Sequence, residues 1–218
     1  MKIVCIGEIL VDLIGQANAG LKHNSEFSKR PGGAPANVAV AASRLGTEVE
    51  MAATVGDDKF GEFLRQKIME ENVNVSNLRK LNQHSTTLAF AALDEDAKPE
   101  FSFYRGADEK IDPSQLELDL DPEDTVHVGS LPFTDPETAK VLLDFLESTE
   151  ATVSFDPNLR EDLLVPEYEE NLKKVIEHVD ILTAADEELE FFGGLEKIRE
   201  KTEEIIVTRG AEGAEIFT

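Results

Sequence analysis

Residues 30–46 read RPGGAPANVAVAASRLG, and the fold turns on how this stretch is parsed. Val38, Ala41, Ala42 and Leu45 recur at i, i+3, i+4 and i+7, the spacing of one face of an α-helix. Pro35 suits the first helical turn, where its missing N–H breaks no bond, and Gly46 suits the position just past the last turn. The pattern predicts a helix over residues 35–45, entered through the pair Gly32-Gly33. β-rich runs flank it at residues 3–6 and 49–55, and an amphipathic helix over residues 59–71 follows, with Phe60, Phe63, Leu64 and Ile68 on one face. The alternation continues with strands at residues 125–128, 152–155, 180–183 and 204–208 and helices at 136–148 and 166–178. Strands separated by helices predict an α/β fold with a mostly parallel sheet covered by helices.

Two stretches break this rhythm. Residues 12–30 and 86–105 carry no helical period, and the second reads as a hairpin: strand 88–93, polar turn 94–100, strand 101–105. They are assigned to a small β lid, and residues 1–11, 31–85 and 106–218 to the α/β body. Leu88, Phe90 and Ala92 fall on one face of the first lid strand and Ala89, Ala91 and Leu93 on the other, so both faces are apolar. Such a flap is expected to cover a ligand on one side and to meet a second copy of the chain, as a homodimer, on the other.

Lys+Arg at 21 against Asp+Glu at 45 leaves a net charge of −24, which argues against nucleic acid and anionic membranes as partners. A hydrophobic content of 41% with 12 Phe predicts a packed globule, and 30% charged residues predict a heavily solvated surface. The acid surplus fits a salty cytoplasm or an acidic mesophile surface. No basic leader precedes a long apolar stretch, so a soluble, cytoplasmic protein is expected. Cys5, the single cysteine, sits in the apolar run Ile3-Val4-Cys5-Ile6 and is expected to be buried and reduced. The acidic residues Glu117, Asp119, Asp121, Glu123 and Asp124 read as a solvated loop rather than a metal site.

In a parallel α/β sheet, ligands collect beyond the carboxyl ends of the strands. Gly129-Ser130, residues 156–160, residues 185–188 and Thr208-Arg209-Gly210 all follow predicted strands, so four loops converge on one rim. Neither GxGxxG nor GxxxxGK[ST] is present, which disfavours a dinucleotide fingerprint and a P-loop. His23, His84, His127 and His178 are scattered and form no zinc pattern. At the glycine pair, backbone can approach a ligand closely, and Asn37 offers a donor and an acceptor to a hydroxyl. That combination suits a sugar; an ordinary loop at a helix start is the alternative.

The wider string Gly32-Gly33-Ala34-Pro35-Ala36-Asn37-Val38-Ala39, then Leu45-Gly46, then Val55-Gly56-Asp57-Asp58 with Gly61, closely resembles the N-terminal signature of the ribokinase-like (PfkB) carbohydrate kinases. Gly7-Glu8-Ile9-Leu10-Val11-Asp12, residues 101–105, Asp156-Pro157-Asn158-Leu159-Arg160 and residues 207–213 extend the resemblance along the chain, and the forms are most similar to those of fructokinases. It implies a ribokinase-like fold, a mostly parallel sheet flanked by helices with a small β-sheet lid. The implied reaction moves the γ-phosphate of ATP to a primary hydroxyl of a small sugar, fructose giving fructose 6-phosphate.

By the same resemblance Asp12 would accept bonds from sugar hydroxyls, with Gly32, Gly33 and Asn37 completing that side, and Arg105 would contact the sugar from the lid's base. Arg160 would stabilise charge on the transferred phosphate. Asn158, Thr208, Gly210 and Gly213 would line the nucleotide. Glu188 matches the last position of the family's NxxE motif, which helps hold hydrated Mg2+, although Ala185 stands where the motif has Asn. The family's Gly-Ala-Gly-Asp segment, whose Asp is the catalytic base, does not occur among these 218 residues. The base, most of the adenine pocket and any monovalent-cation site are therefore expected beyond Thr218, and the 218-residue chain alone is expected to show negligible transfer. Two other readings stay open: a sugar-binding or regulatory module without catalysis, and a kinase acting on ribose, a nucleoside or a keto-deoxy sugar acid.

Overall fold

The computed structural model describes residues 1–159 and 163–218. Its strands, in chain order, are β1 (Lys2–Ile6), β2 (Leu10–Gly15), β3 (Phe27–Gly32), β4 (Glu48–Gly56), β5 (Leu78–Leu81), β6 (Leu88–Leu93), β7 (Pro99–Tyr104), β8 (Thr125–Gly129), β9 (Thr152–Asp156), β10 (Ile181–Ala185), β11 (Glu204–Thr208) and β12 (Ala214–Phe217). The helices are α1 (Gly20–His23), α2 (Ala34–Arg44), α3 (Lys59–Glu70), α4 (Pro136–Ser148), α5 (Pro166–Val175), α6 (Asp186–Phe191) and α7 (Leu195–Ile198).

Eight strands form one sheet in the order β12-β11-β10-β9-β8-β1-β4-β5, and four form a second in the order β3-β2-β6-β7. Pairing in the large sheet is parallel except at β12, which returns antiparallel to β11. This is the mostly parallel, helix-covered α/β arrangement that the alternation predicts. Its strands read as nearly continuous apolar runs because both faces are covered. Alternate residues of β1 separate two cores. Val4 and Ile6 face Val126, Val128, Phe155 and Leu182 beneath α4 and α5, whereas Cys5 faces Met51 and Val55 beneath α2 and α3. Cys5 is fully buried, and burial pushes its thiol up to about 12, which leaves it inert at neutral pH.

The structure departs from the sequence reading in several places. Helix α2 starts at Ala34 and buries Pro35, Ala36 and Ala39, while Leu45, expected on its apolar face, is 87% exposed. An alanine-rich helix has small apolar residues on every side, so periodicity alone does not choose the packed face. The helix expected over 166–178 changes at Val175 to a 3-10 turn, Ile176–His178, and the strand expected at 180–183 lies at Ile181–Ala185. Strand β5, LRKL, lacks an apolar signal and exists because it pairs in parallel with β4. The small sheet reaches past 12–30 on both sides, since β2 and β3 pair from Leu10↔Gly32 to Gly15↔Phe27. The acidic loop is not wholly solvated either: Asp124 is 4% exposed and accepts from the Lys2 and Asp121 amides.

Strand β1 is flanked by β4 on one side and β8 on the other, so the chain reverses its direction of travel across the sheet at β1. The carboxyl ends of β1 and β8 therefore flank a crevice, the position where open α/β sheets bind ligands. The β2–β3–β6–β7 sheet stands beside this crevice.

Candidate active site

A cavity of about 170 Å³ fills the crevice between the two sheets. Glu8, just past β1, and Ser130 and Leu131, just past β8, form its floor. Gly33, Ala34 and Asn37 bring in the start of α2, Asn158 follows β9, and the small sheet contributes Leu10 and Asp12 from β2, Ala89 from β6, and Phe101 and Phe103 from β7. The register explains the last group. Asp12 pairs with Ala89, and Ala89 with Phe103, so these side chains share one face of the sheet. The Phe101 and Phe103 rings stack with centroids 6.2 Å apart.

The glycines work mainly by making room for neighbouring protein groups. A Cβ at Gly32 would lie 2.1 Å from Asp12 Oδ2, so a residue without a side chain there frees the carboxylate's space. Gly33 has φ 106°, in the region that favours glycine, and a Cβ there would lie 2.4 Å from the Glu8 carbonyl oxygen. Gly129 leaves space for Glu8, whose Oε2 would lie 2.6 Å from an added Cβ. The sequence reading gave the glycine pair to the ligand. In the structure Gly33 lines the cavity, and Gly32 serves by what it lacks.

Glu8 is the site residue that sequence reading missed. It is 3% exposed, its Oε1 accepts from the Ala34 amide at 3.1 Å, and its Oε2 has no hydrogen-bond partner among the described residues. Burial pushes this carboxyl up to about 7; backbone bonds from its own residue and Ala34 oppose the rise, the charge of Asp108 adds to it and that of Arg105 opposes it. A lone carboxylate inside the apolar run Ile6-Gly7-Glu8-Ile9-Leu10-Val11 was the available signal.

Arg105, placed against the sugar by the resemblance, is not among the cavity-lining residues. Its guanidinium is turned to Asp108, with Nε 2.7 Å from Oδ2, and reaches the Thr134 hydroxyl and the Leu131 carbonyl at 3.4 Å. Asp108 is 1% exposed and also accepts from Thr87 and the Gly106 amide, so the ion pair braces the turn beneath the small sheet. Asn158 was assigned to the nucleotide, yet it lines the same cavity as Asp12. It has φ 38°, unusual for a residue with a side chain, and its amide donates to Asp156 Oδ1 at 3.0 Å. Arg160 lies outside the described residues.

Thr208, Gly210 and Gly213 sit on the exposed turn between β11 and β12, closed by the Arg209 amide donating to the Gly213 carbonyl at 2.8 Å. They share the carboxyl rim with the cavity; two strand spacings separate β9 from β11, roughly 10 Å. Glu188 stands between. Its Oε1 accepts from the Leu159 amide at 2.6 Å and its Oε2 from the Ala185 amide at 2.8 Å, which stitches the loop after β9 to the β10–α6 junction. Among the described residues no three His, Cys, Asp or Glu side chains cluster as a metal cage.

The model of the pfkB family carbohydrate kinases matches residues 1–218. A relative from Arabidopsis thaliana, described as a probable fructokinase-2, is 34% identical over 235 aligned residues, covering 99% of this chain and 71% of its own length. A structure of an uncharacterized sugar kinase from Pyrococcus horikoshii in complex with ATP superposes with a TM-score of 0.86 at 28% identity, covering 99% of this chain and 74% of that one. A fructokinase from Vibrio cholerae O395, in a form with fructose, ADP and calcium ion bound, gives a TM-score of 0.84 at 28% identity over 100% of this chain and 73% of that one. With Gly33, Ala34 and Asn37 of that signature lining the switch-point cavity, the chain belongs to the pfkB family of carbohydrate kinases.

Proposed function

We propose that the chain is a fructokinase that holds fructose in the Asp12 cavity and turns a primary hydroxyl toward the γ-phosphate of ATP, giving fructose 6-phosphate and ADP. The observation that carries the reading is the pairing, in one cavity, of polar groups suited to hydroxyls with a stacked aromatic wall. Asp12 supplies acceptors, Asn37 an acceptor and donors, and Phe101 and Phe103 an apolar face for the carbon skeleton. A relative described as a probable fructokinase and a similar structure with fructose and ADP bound support the choice of sugar.

In the reaction the sugar hydroxyl oxygen forms a bond to the γ-phosphorus, the bond from phosphorus to the bridging oxygen of ADP breaks, and the hydroxyl proton passes to a phosphate oxygen and from there to solvent. The described residues position the reactants. Asp12 and Asn37 fix the sugar's orientation, the small sheet excludes water, and the Thr208–Gly213 turn receives the nucleotide along the rim. Arg160 follows Asn158 and Leu159 in sequence and would meet the charge that builds on the transferred phosphoryl group. No described residue is assigned the role of general base.

ATP carries a divalent cation, which neutralises phosphate charge during transfer. Mg2+ keeps several waters and is held largely through phosphates, so an all-protein cage is not required. Glu188 fits that demand: each of its oxygens accepts one amide bond and retains a lone pair for a metal-bound water. The reading also carries a homodimer formed through the small sheet, supported by exposed Tyr104 on the face opposite Asp12, Ala89 and Phe103, which light scattering would test. A cytoplasmic setting accords with a supply of ATP and with the free, buried Cys5 thiol.

Calorimetric titration with fructose, ribose, adenosine and a keto-deoxy sugar acid tests the sugar assignment. Fructose is expected to bind tightest. Equal or tighter binding of one of the others would replace fructose as the acceptor.

A further inference from the structure

The mechanism above leaves one buried carboxyl at the sugar cavity without a task. Glu8 is anchored at one oxygen only: Oε1 accepts from the Ala34 amide at the start of α2, while Oε2 is buried and unpartnered among the described residues, and Glu8 is one of the residues that line the cavity. A buried polar atom without a partner costs free energy comparable to a lost hydrogen bond, and such atoms call for an explanation. Gly129 keeps the space beside Oε2 open, since a Cβ there would lie 2.4 Å from Pro35 Cγ and 2.6 Å from Oε2. The described part of the floor around it, from Gly33 and Ala34 to Ser130 and Leu131, offers no second side-chain carboxylate or cation.

We propose that Glu8 is a sugar-binding residue whose Oε2 carries a proton and donates a hydrogen bond to a sugar hydroxyl oxygen, opposite the acceptor Asp12. This rests on the reading of the cavity as the sugar site. Two carboxyl groups facing one polyol can then play different parts, one accepting and one donating, and an analogue lacking the matching hydroxyl leaves a buried donor unsatisfied.

The charged groups around Glu8 bear on the protonation this requires. Asp108 in the turn after β7 disfavours a second negative charge, Asp12 on β2 lines the same cavity, and Arg105, which opposes the rise, is engaged by Asp108. Burial supplies the largest push, to about 7, and a bound sugar, by further shielding the carboxyl from solvent, pushes the same way. Sugar binding is therefore linked to proton uptake, and affinity falls as the pH rises through about 7.

The test is calorimetric titration of fructose into wild type, Glu8→Gln, Glu8→Ala and Asp12→Asn from about pH 5.5 to about pH 8.5, in buffers of differing ionisation enthalpy. Wild type should weaken above about pH 7 and take up a fraction of a proton on binding. Glu8→Gln, an amide with a permanent donor, should bind within about threefold of wild type at low pH, with a flat pH profile and no proton uptake. Glu8→Ala should bind about tenfold more weakly throughout, with thermal melts confirming that it folds. Wild-type affinity in Glu8→Ala, or the wild-type slope and proton uptake in Glu8→Gln, would overturn the assignment. If Glu8→Ala does not fold, the Glu8→Gln profile still decides. Fructose binding by wild type that is lost in Asp12→Asn but untouched at Glu8 removes this inference alone; no fructose binding by wild type at any pH removes the sugar reading beneath it.

Discussion

A methyl group at residue 32 would stand 2.1 Å from Asp12 Oδ2, well inside contact distance, so Gly32→Ala must displace the carboxylate from its place in the cavity. Fructose affinity is expected to fall at least about tenfold while the melting temperature moves little, since Asp12 lies on a half-buried strand that can adjust. Unchanged affinity by calorimetry would count against the placement of Asp12. His127 sets a second expectation. Buried between β1 and β9, it contacts Ser154 Oγ at 3.1 Å through Nδ1, and burial pushes its pKa down to about 4. The folded state resists protonating it while the unfolded chain protonates near about 6.5, so its contribution is intact above that value and is lost as pH falls through the window toward 4. Melting temperature against pH should decline across this window, and His127→Leu should flatten that part of the decline; an identical acid limb in the variant would refute the role. At this scale the cavity positions of Asp12, Gly33 and Asn37 were legible because their types recur in a known string, whereas Asn158, read toward the nucleotide, lines the same cavity as Asp12. Glu8 and the brace of Arg105 on Asp108 were not, because both depend on which groups the tertiary fold brings within reach.

The small sheet is tied to the body by few but specific contacts. Asp58 caps α3 by accepting from the Phe60 and Gly61 amides at 3.0 and 2.9 Å, and it also takes the Thr86 amide and hydroxyl, both at 2.8 Å, just ahead of β6. Desolvation alone would raise this carboxyl, but the bonds from Thr86, Gly61 and Phe60 outweigh it and hold it below the ordinary aspartate range. Lys29 of β3 adds a second tie, its Nζ 3.9 Å from the centroid of the Phe63 ring on α3. Asp58→Ala is expected to cost about 2 kcal/mol, read as a melting temperature lower by several degrees. A loss below about 0.5 kcal/mol would show that the cap and strap are dispensable. Element positions in the body were largely legible, since parallel strands buried on both faces give long apolar runs and α4 carries its own cap, Asp135, bonded to the Thr138 amide. The small sheet's limits were not: β2 continues the apolar run that leaves β1, and only its pairing with β3 and β6 shows where one sheet yields to the other. β5 escaped for the same reason, being a strand by pairing rather than by composition.

For the whole molecule, a net charge of −24 over 218 residues means that folding gathers like charges which salt can screen. Thermal melts should therefore shift upward from low to molar salt, and a flat or falling profile would contradict this account of the surface. The same charge leaves a neutral sugar unaffected but repels a free nucleotide, so cation-paired ATP is the form expected to approach the rim. The fold class was legible in the order of elements, and the site's location followed from the reversal of strand order at β1. What the order of elements could not give is the cavity's shape, which arises where the second sheet meets that reversal. Hydrogen exchange with and without saturating fructose tests this most directly. Slowed amides should gather in β2, at the start of α2, in β7 and in the loop after β8; protection confined to other surfaces, or none in these four segments, would contradict a sugar held between the two sheets.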